Sequence, residues 1–162
     1  SIGLVGSEMC IRDSISFEAG SSDLNKSGRK EVSKLVKSMQ DDKIMWDKYL
    51  LDHNTNIFND SIFKLMIVIN GYADEQGSSD ENVRKEQNKL LSEKRAQAVS
   101  DELMRQFKAQ KSNTEIIVDI EINGRGEMLP PEINAAQAKK NSAERRISRV
   151  SMVLGPKILL YN

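Results

Sequence analysis

The chain holds 162 residues, with 24 Lys and Arg against 24 Asp and Glu, so its formal net charge at pH 7 is zero. That length allows one domain with a real core, and the balance excludes both an acidic tail protein and the basic excess of a general nucleic-acid binder. One Cys and one His exclude an internal disulfide framework, Cys-rich zinc sites and the usual His-based metal sets, and no apolar run nears the ~20 residues of a membrane-spanning helix.

Residues 1–14 (SIGLVGSEMCIRDS) show no period, and they lack the basic start and apolar core of a signal peptide. The stretch GSEMCIRDS reads as translated sequencing adapter, the alternative being an ordinary frayed N-terminus. On the first reading the genuine chain starts near Ile15, its natural start is missing, and Cys10 carries no redox meaning. A short strand is expected over 15–17, followed by a Gly-Ser turn at 20–22. Val32, Leu35, Val36 and Met39 keep the i, i+3, i+4, i+7 spacing of one helix face and predict a helix over 25–39. Residues 40–62, with Trp46, Tyr49 and Phe58, read as an inserted helix plus loop. In it Asp41-Asp42 read as a charge pair at a helix N-terminus, His53 as a surface residue, and the aromatics as a small satellite core or a partner surface.

A buried strand is expected over 63–70 (FKLMIVIN), stopped by Gly71, and a loop over 72–79. The longest helix is expected over 80–107. A third strand covers 115–122 (EIIVDIEI) and ends at Gly124 and Gly126, a glycine pair that reads as a turn and not as a dinucleotide fingerprint. Pro130-Pro131 open a connection with a short helix over 134–140, and 147–154 alternates as a last strand. The order β-α-β-α-β-(α)-β predicts an α/β (α+β) sandwich, its helices packed on one mixed four-stranded sheet. One domain over 15–154 is followed by a tail at 155–162.

On the long helix Leu91, Arg95, Val99, Leu103 and Phe107 recur every four residues, with Ser92 and Ala96 beside them. Arg95 thus lies on or beside the stripe that should meet the sheet, where an unpaired guanidinium is costly. Asp74 sits on the loop after the second strand, between Gly71 and Gly77, and ligands of α/β sheets often bind beyond strand C-termini. Asp74 and Arg95 could flank a pocket for a zwitterion, the carboxylate taking its ammonium and the arginine its carboxylate. Equally, they could pair with each other and pin the loop. Lys139-Lys140 and Arg145-Arg146 form a basic cluster, read as a solvated face.

Several ordered motifs resemble one family, the OmpA-like domain of outer-membrane OmpA proteins, the Pal lipoprotein and MotB-type stator subunits. They are GYADEQG; then Asn88, Leu91, Ser92, Arg95, Ala96 and Val99 of NKLLSEKRAQAV; the opening ISFEAGSSDLNKSGRKEV; GRGEMLPPEIN; and SAERRI before the last strand. The resemblance runs from about Ile15 to Leu154. It implies a non-catalytic module that binds peptidoglycan, with Asp74 and Arg95 gripping the diaminopimelate of the stem peptide. By the same resemblance Asn88 would bond the ligand or brace the loop, Tyr72 would wall the pocket, and Leu91 and Ala96 would be core. Ser92 and Arg146 would be structural or touch the pocket, Arg146 as a salt-bridging residue at the start of the last strand. It implies no cofactor and no metal, a place on the periplasmic face of the envelope, and room for a homodimer. A second reading is the wall anchor of a MotB-like stator, beside a membrane-anchored channel partner subunit. A wall-active enzyme lacks a visible nucleophile–His or metal set. One departure concerns spacing: Asp74 and Arg95 lie 21 positions apart, longer than the family's usual interval. The extra residues fall within 78–87.

Overall fold

Alternation decides the second strand, β2 (Phe63–Gly71). Its odd-numbered residues Phe63, Leu65, Ile67 and Ile69 are all but fully buried, whereas Met66 on the other face is 42% exposed. In this computed structural model, which describes residues 10–52, 63–110 and 116–156, β2 pairs in parallel with β3 (Ile116–Gly124). It pairs antiparallel with β4 (Ile147–Pro156), which pairs antiparallel with β1 (Cys10–Ser16). The sheet order is β1-β4-β2-β3. The parallel pair requires a crossover, and α2 (Glu81–Ala109) supplies it. With α1 (Lys26–Asp52) it packs on one face of the sheet, which is the expected α/β sandwich. No helix among the described residues is long and apolar enough to cross a membrane.

The structure corrects three of the expected elements. Helix α1 does not end at Met39 but runs unbroken to Asp52. The reason is periodic: Trp46 follows Met39 by seven residues and returns to the same face. Trp46 is fully buried in the main core, donates its indole N–H to the Leu154 carbonyl at 2.9 Å, and meets Tyr49 edge to face. Asp41-Asp42 therefore lie in mid-helix, Asp41 bonding Lys37 at 3.3 Å one turn away. Strand β1 begins at Cys10 and not Ile15, with residues 10–14 in register against Arg149–Val153 of β4. The helix expected over 134–140 is a single 3-10 turn, Ala135–Gln137, with no buried side chain to seat it. A second turn, Ala143–Arg145, precedes β4. Leu91 is only half-buried, while Ala96 is core as expected. His53, Phe58, residues 1–9 and the end of the tail at 157–162 lie outside the described residues.

Two glycines set how closely α2 approaches the sheet. A Cβ on Gly71 would sit 1.9 Å from the Ser92 carbonyl oxygen, and one on Gly124 would sit 2.2 Å from Glu93 Cγ. Glycine there lets the C-terminal ends of β2 and β3 touch the backbone of α2 directly. This contact places Ser92 and Arg95 at the mouth of the sheet.

Candidate functional site

Four loops meet above the ends of β2 and β3. The β2–α2 loop follows Gly71, and the Gly-rich turn follows Gly124. The loop after β1 and the segment before β4 close the ring. Backbone hydrogen bonds knit them: Tyr72 N–H to the Ile147 carbonyl, Ala73 N–H to Gly126 and Glu75 N–H to Lys140, each at 2.8 Å, and Phe17 N–H to Arg146 at 2.7 Å. Helix α2 rises beside them, capped by Asp80, whose carboxylate accepts from the Asn82 and Val83 N–H groups. The extra residues of the Asp74–Arg95 interval are therefore mostly helix, extending α2 beyond Asn88 toward its N-terminus.

Arg95 is fully buried. Nε donates to the Ser21 carbonyl at 2.8 Å, Nη1 to Tyr72 at 2.9 Å and Nη2 to Glu18 at 3.0 Å. Three of its five N–H donors thus tie the loop after β1 to the loop after β2. The guanidinium also lies 5.5 Å from the centre of the Phe17 ring. Burial pushes its pKa down to about 10, opposed by the charge of Asp74 and assisted by that of Arg146; it stays cationic at neutral pH.

Asp74 is almost fully buried and makes no ion pair with Arg95 within 4 Å. Its partner is Arg146, whose Nε donates at 2.8 Å and whose side chain is 19% exposed. The expectation that Asp74 and Arg95 pair with each other is thereby corrected, and Arg146 takes the salt-bridging part expected of it, with Asp74 as its partner. The two groups share a site without touching, and a second arginine stands between Asp74 and solvent.

Asn88 is buried and braces two loops, its Nδ2 donating to the Gln76 carbonyl at 3.1 Å and to Glu127 Oε2 at 2.6 Å. Ser92 donates to the Lys89 carbonyl and accepts the Gly126 N–H at 2.8 Å. Tyr72 contributes its backbone to the site. Its phenol is buried, which raises its pKa, and the charges that reach it are Arg125, Glu132 and Arg149.

Further residues of the site have no role that the sequence assigned, although Glu75, Glu127 and Arg145 fall within its motifs. Arg84, on the extension of α2, forks onto Glu127 at 2.9 and 3.1 Å and reaches Glu75 at 4.0 Å. Arg145, expected on a solvated face, is buried. It donates to the Glu127, Lys139 and Lys140 carbonyls and lies 3.5 Å from Glu75. Its Nε has no partner among the described residues. Arg84 and Asn88 outweigh the burial of Glu127 and hold its pKa below the usual range. Four arginines (84, 95, 145, 146) thus surround three carboxylates (Asp74, Glu75, Glu127). Among the described residues no group of His, Cys, Asp and Glu could hold a metal ion.

No curated protein matches the chain. Among solved structures, it is similar to the OmpA-like domain of FopA1 from Francisella tularensis subsp. tularensis SCHU S4, at 20% identity and a TM-score of 0.43, covering 91% of this chain and 73% of that one. It is similar to the periplasmic domain of MotB (residues 64–256), at 11% identity and 0.48, covering 94% and 66%. It is also similar to the cell wall anchor of the T6SS from Pseudomonas aeruginosa, at 12% identity and 0.45, covering 92% and 90%. The family model of the OmpA family matches residues 47–146, more than half of the 162 residues, and the chain belongs to that family.

Proposed function

We propose that this domain binds peptidoglycan without chemistry and anchors an envelope protein to the cell wall. The carrying observation is a buried carboxylate, Asp74, closed by a partly exposed arginine and flanked by a second, buried cation. A zwitterion fits this triad by exchange. Its ammonium takes the place of Arg146 at Asp74, and its carboxylate takes the freed guanidinium and the N–H groups of Arg95 not committed to carbonyls. Charge is conserved at each step, so no buried ion is left unpaired, which would be the costly outcome. The free end of a diaminopimelate residue is such a zwitterion. Asn88 serves as a brace in this reading, and Tyr72 holds Arg95 through its carbonyl.

Two charge-assisted contacts of about 1.5–3 kcal/mol each, about 3–6 together, give an affinity per site between several millimolar and tens of micromolar. Strength would come from many copies on a polymer. The module would then work on the periplasmic face of the envelope. The test is co-sedimentation with diaminopimelate-type sacculi. The parent should pellet, and a folded Asp74→Asn variant should remain in the supernatant. A folded parent that stays soluble, or an Asp74→Asn variant that pellets equally, would overturn the assignment. Released muropeptide fragments in the same tubes would overturn the non-catalytic part.

A further inference from the structure

A cavity of about 850 Å³ opens between the outer face of the sheet at β4 and the connection that precedes that strand. Such volumes suit a ligand of two or three rings. Its charges cancel: Lys139 and Arg149 face Glu132 and Glu144, and Arg149 already bonds Glu132 at 2.5 Å. A cleft without net charge does not select an ion. Its apolar surface is limited to Pro130, Ile133 and Ile147, too little for a lipid chain. The side chains of Gln137 and Asn141 are exposed there, and each offers both a donor and an acceptor. Paired donors and acceptors over a small apolar floor complement a neutral saccharide, whose hydroxyls and acetamido groups need both and whose ring C–H faces need apolar contact.

The cleft is contiguous with the Asp74 site. Ile147 lines the cleft and directly follows Arg146, and its carbonyl holds the Tyr72 N–H. Lys139 also lines it, one residue before the Lys140 carbonyl that holds Glu75. Arg146 at Asp74 and Ile147 in the cleft are thus consecutive residues, and the two sites share the segment that leads into β4.

We infer that the cleft is a saccharide subsite, which takes the N-acetylated disaccharide attached to the stem peptide bound at Asp74. The inference rests on the peptidoglycan reading above and extends it from the peptide to the glycan. Calorimetric titration of the whole chain would compare three probes: a diaminopimelate stem peptide, the same peptide carrying its disaccharide, and N-acetylglucosamine oligomers alone. The disaccharide–peptide should bind about tenfold more tightly than the bare peptide. The double variant Gln137→Ala/Asn141→Ala removes two exposed side chains. It should erase that difference and leave the bare-peptide affinity unchanged. Equal affinities for the two peptides, or a difference that survives the double variant, would overturn the subsite while leaving the peptide site standing. If the bare peptide fails to bind, the Asp74 reading falls. The cleft then survives only if the oligomers bind the parent and not the double variant, and it falls if they bind neither or both.

Discussion

Replacing Arg95 by alanine tests whether this arginine is a scaffold as well as a ligand group. The substitution removes three hydrogen bonds from a buried cation to the Glu18, Ser21 and Tyr72 carbonyls. Hydrogen bonds to charged groups are worth roughly 1.5–3 kcal/mol each. The desolvation of the guanidinium, visible in its lowered pKa, is relieved at the same time and offsets part of that sum. Water can also enter the polar space left behind. A net loss of about 3–5 kcal/mol follows, the range seen when one partner of a buried charged contact is removed. For a domain of this size that corresponds to a fall in Tm of about 10–15 °C. Urea unfolding followed by far-UV circular dichroism reads it directly, with an unchanged m-value. Arg95→Lys keeps the charge but cannot fork across two loops, and should fall between parent and alanine variant. A loss below about 1 kcal/mol for Arg95→Ala would refute the clamp. The three carbonyls would then be satisfied without the arginine.

Three other outcomes are expected. Gly71→Ala drives a Cβ to 1.9 Å from the Ser92 carbonyl oxygen; backbone cannot rotate aside, so the loss should exceed about 3 kcal/mol in urea titration, the upper end of overpacking costs. Arg84→Ala frees Glu127 and one side of Glu75, and should cost about 1–2 kcal/mol in the same titration, most of it recovered when Glu127→Gln is added. Glu102 has its pKa lowered to about 2, chiefly by Arg105; its stabilisation is complete above its unfolded pKa and is lost as pH falls from about 4.5 to 2. With Arg105 exposed, the contribution is on the order of 1 kcal/mol, and Glu102→Gln should flatten that part of the acid limb of the stability curve.

Most of the architecture follows from periodicity. Alternation marks β2 and β4, and the four-residue stripe of α2 marks the face that meets the sheet. Where periodicity fails, the causes are specific. Charged residues at 41–43 mask the continuation of α1, although Trp46 keeps its phase. The exposed turn at Ala135–Gln137 carries the composition of a helix without a surface to bury. At the site, the unusual position of Arg95 is legible because a cation on an apolar stripe must find acceptors. What it finds is not legible, because the acceptors are backbone carbonyls, which every residue possesses. The Asp74–Arg146 pair joins residues 72 positions apart, and the roles of Arg84, Arg145 and Glu127 depend on which loops the fold brings together. Gly71 reads as a strand stop from sequence; its role in close packing needs the helix opposite it.

The buried indole of Trp46 has a practical consequence. It is the sole tryptophan of the chain, and it is bonded to Leu154, toward the end of the strand that Arg146 immediately precedes. Eight residues of extended backbone, about 27 Å, separate the two. Its emission should shift to the red when α1 leaves the sheet, yet stay indifferent to what occupies the pocket at the other end. The protein therefore carries its own unfolding reporter, optically separate from binding. A variant that loses sacculus binding can be sorted at once, by a single emission spectrum, into one that has lost the site and one that has lost the fold.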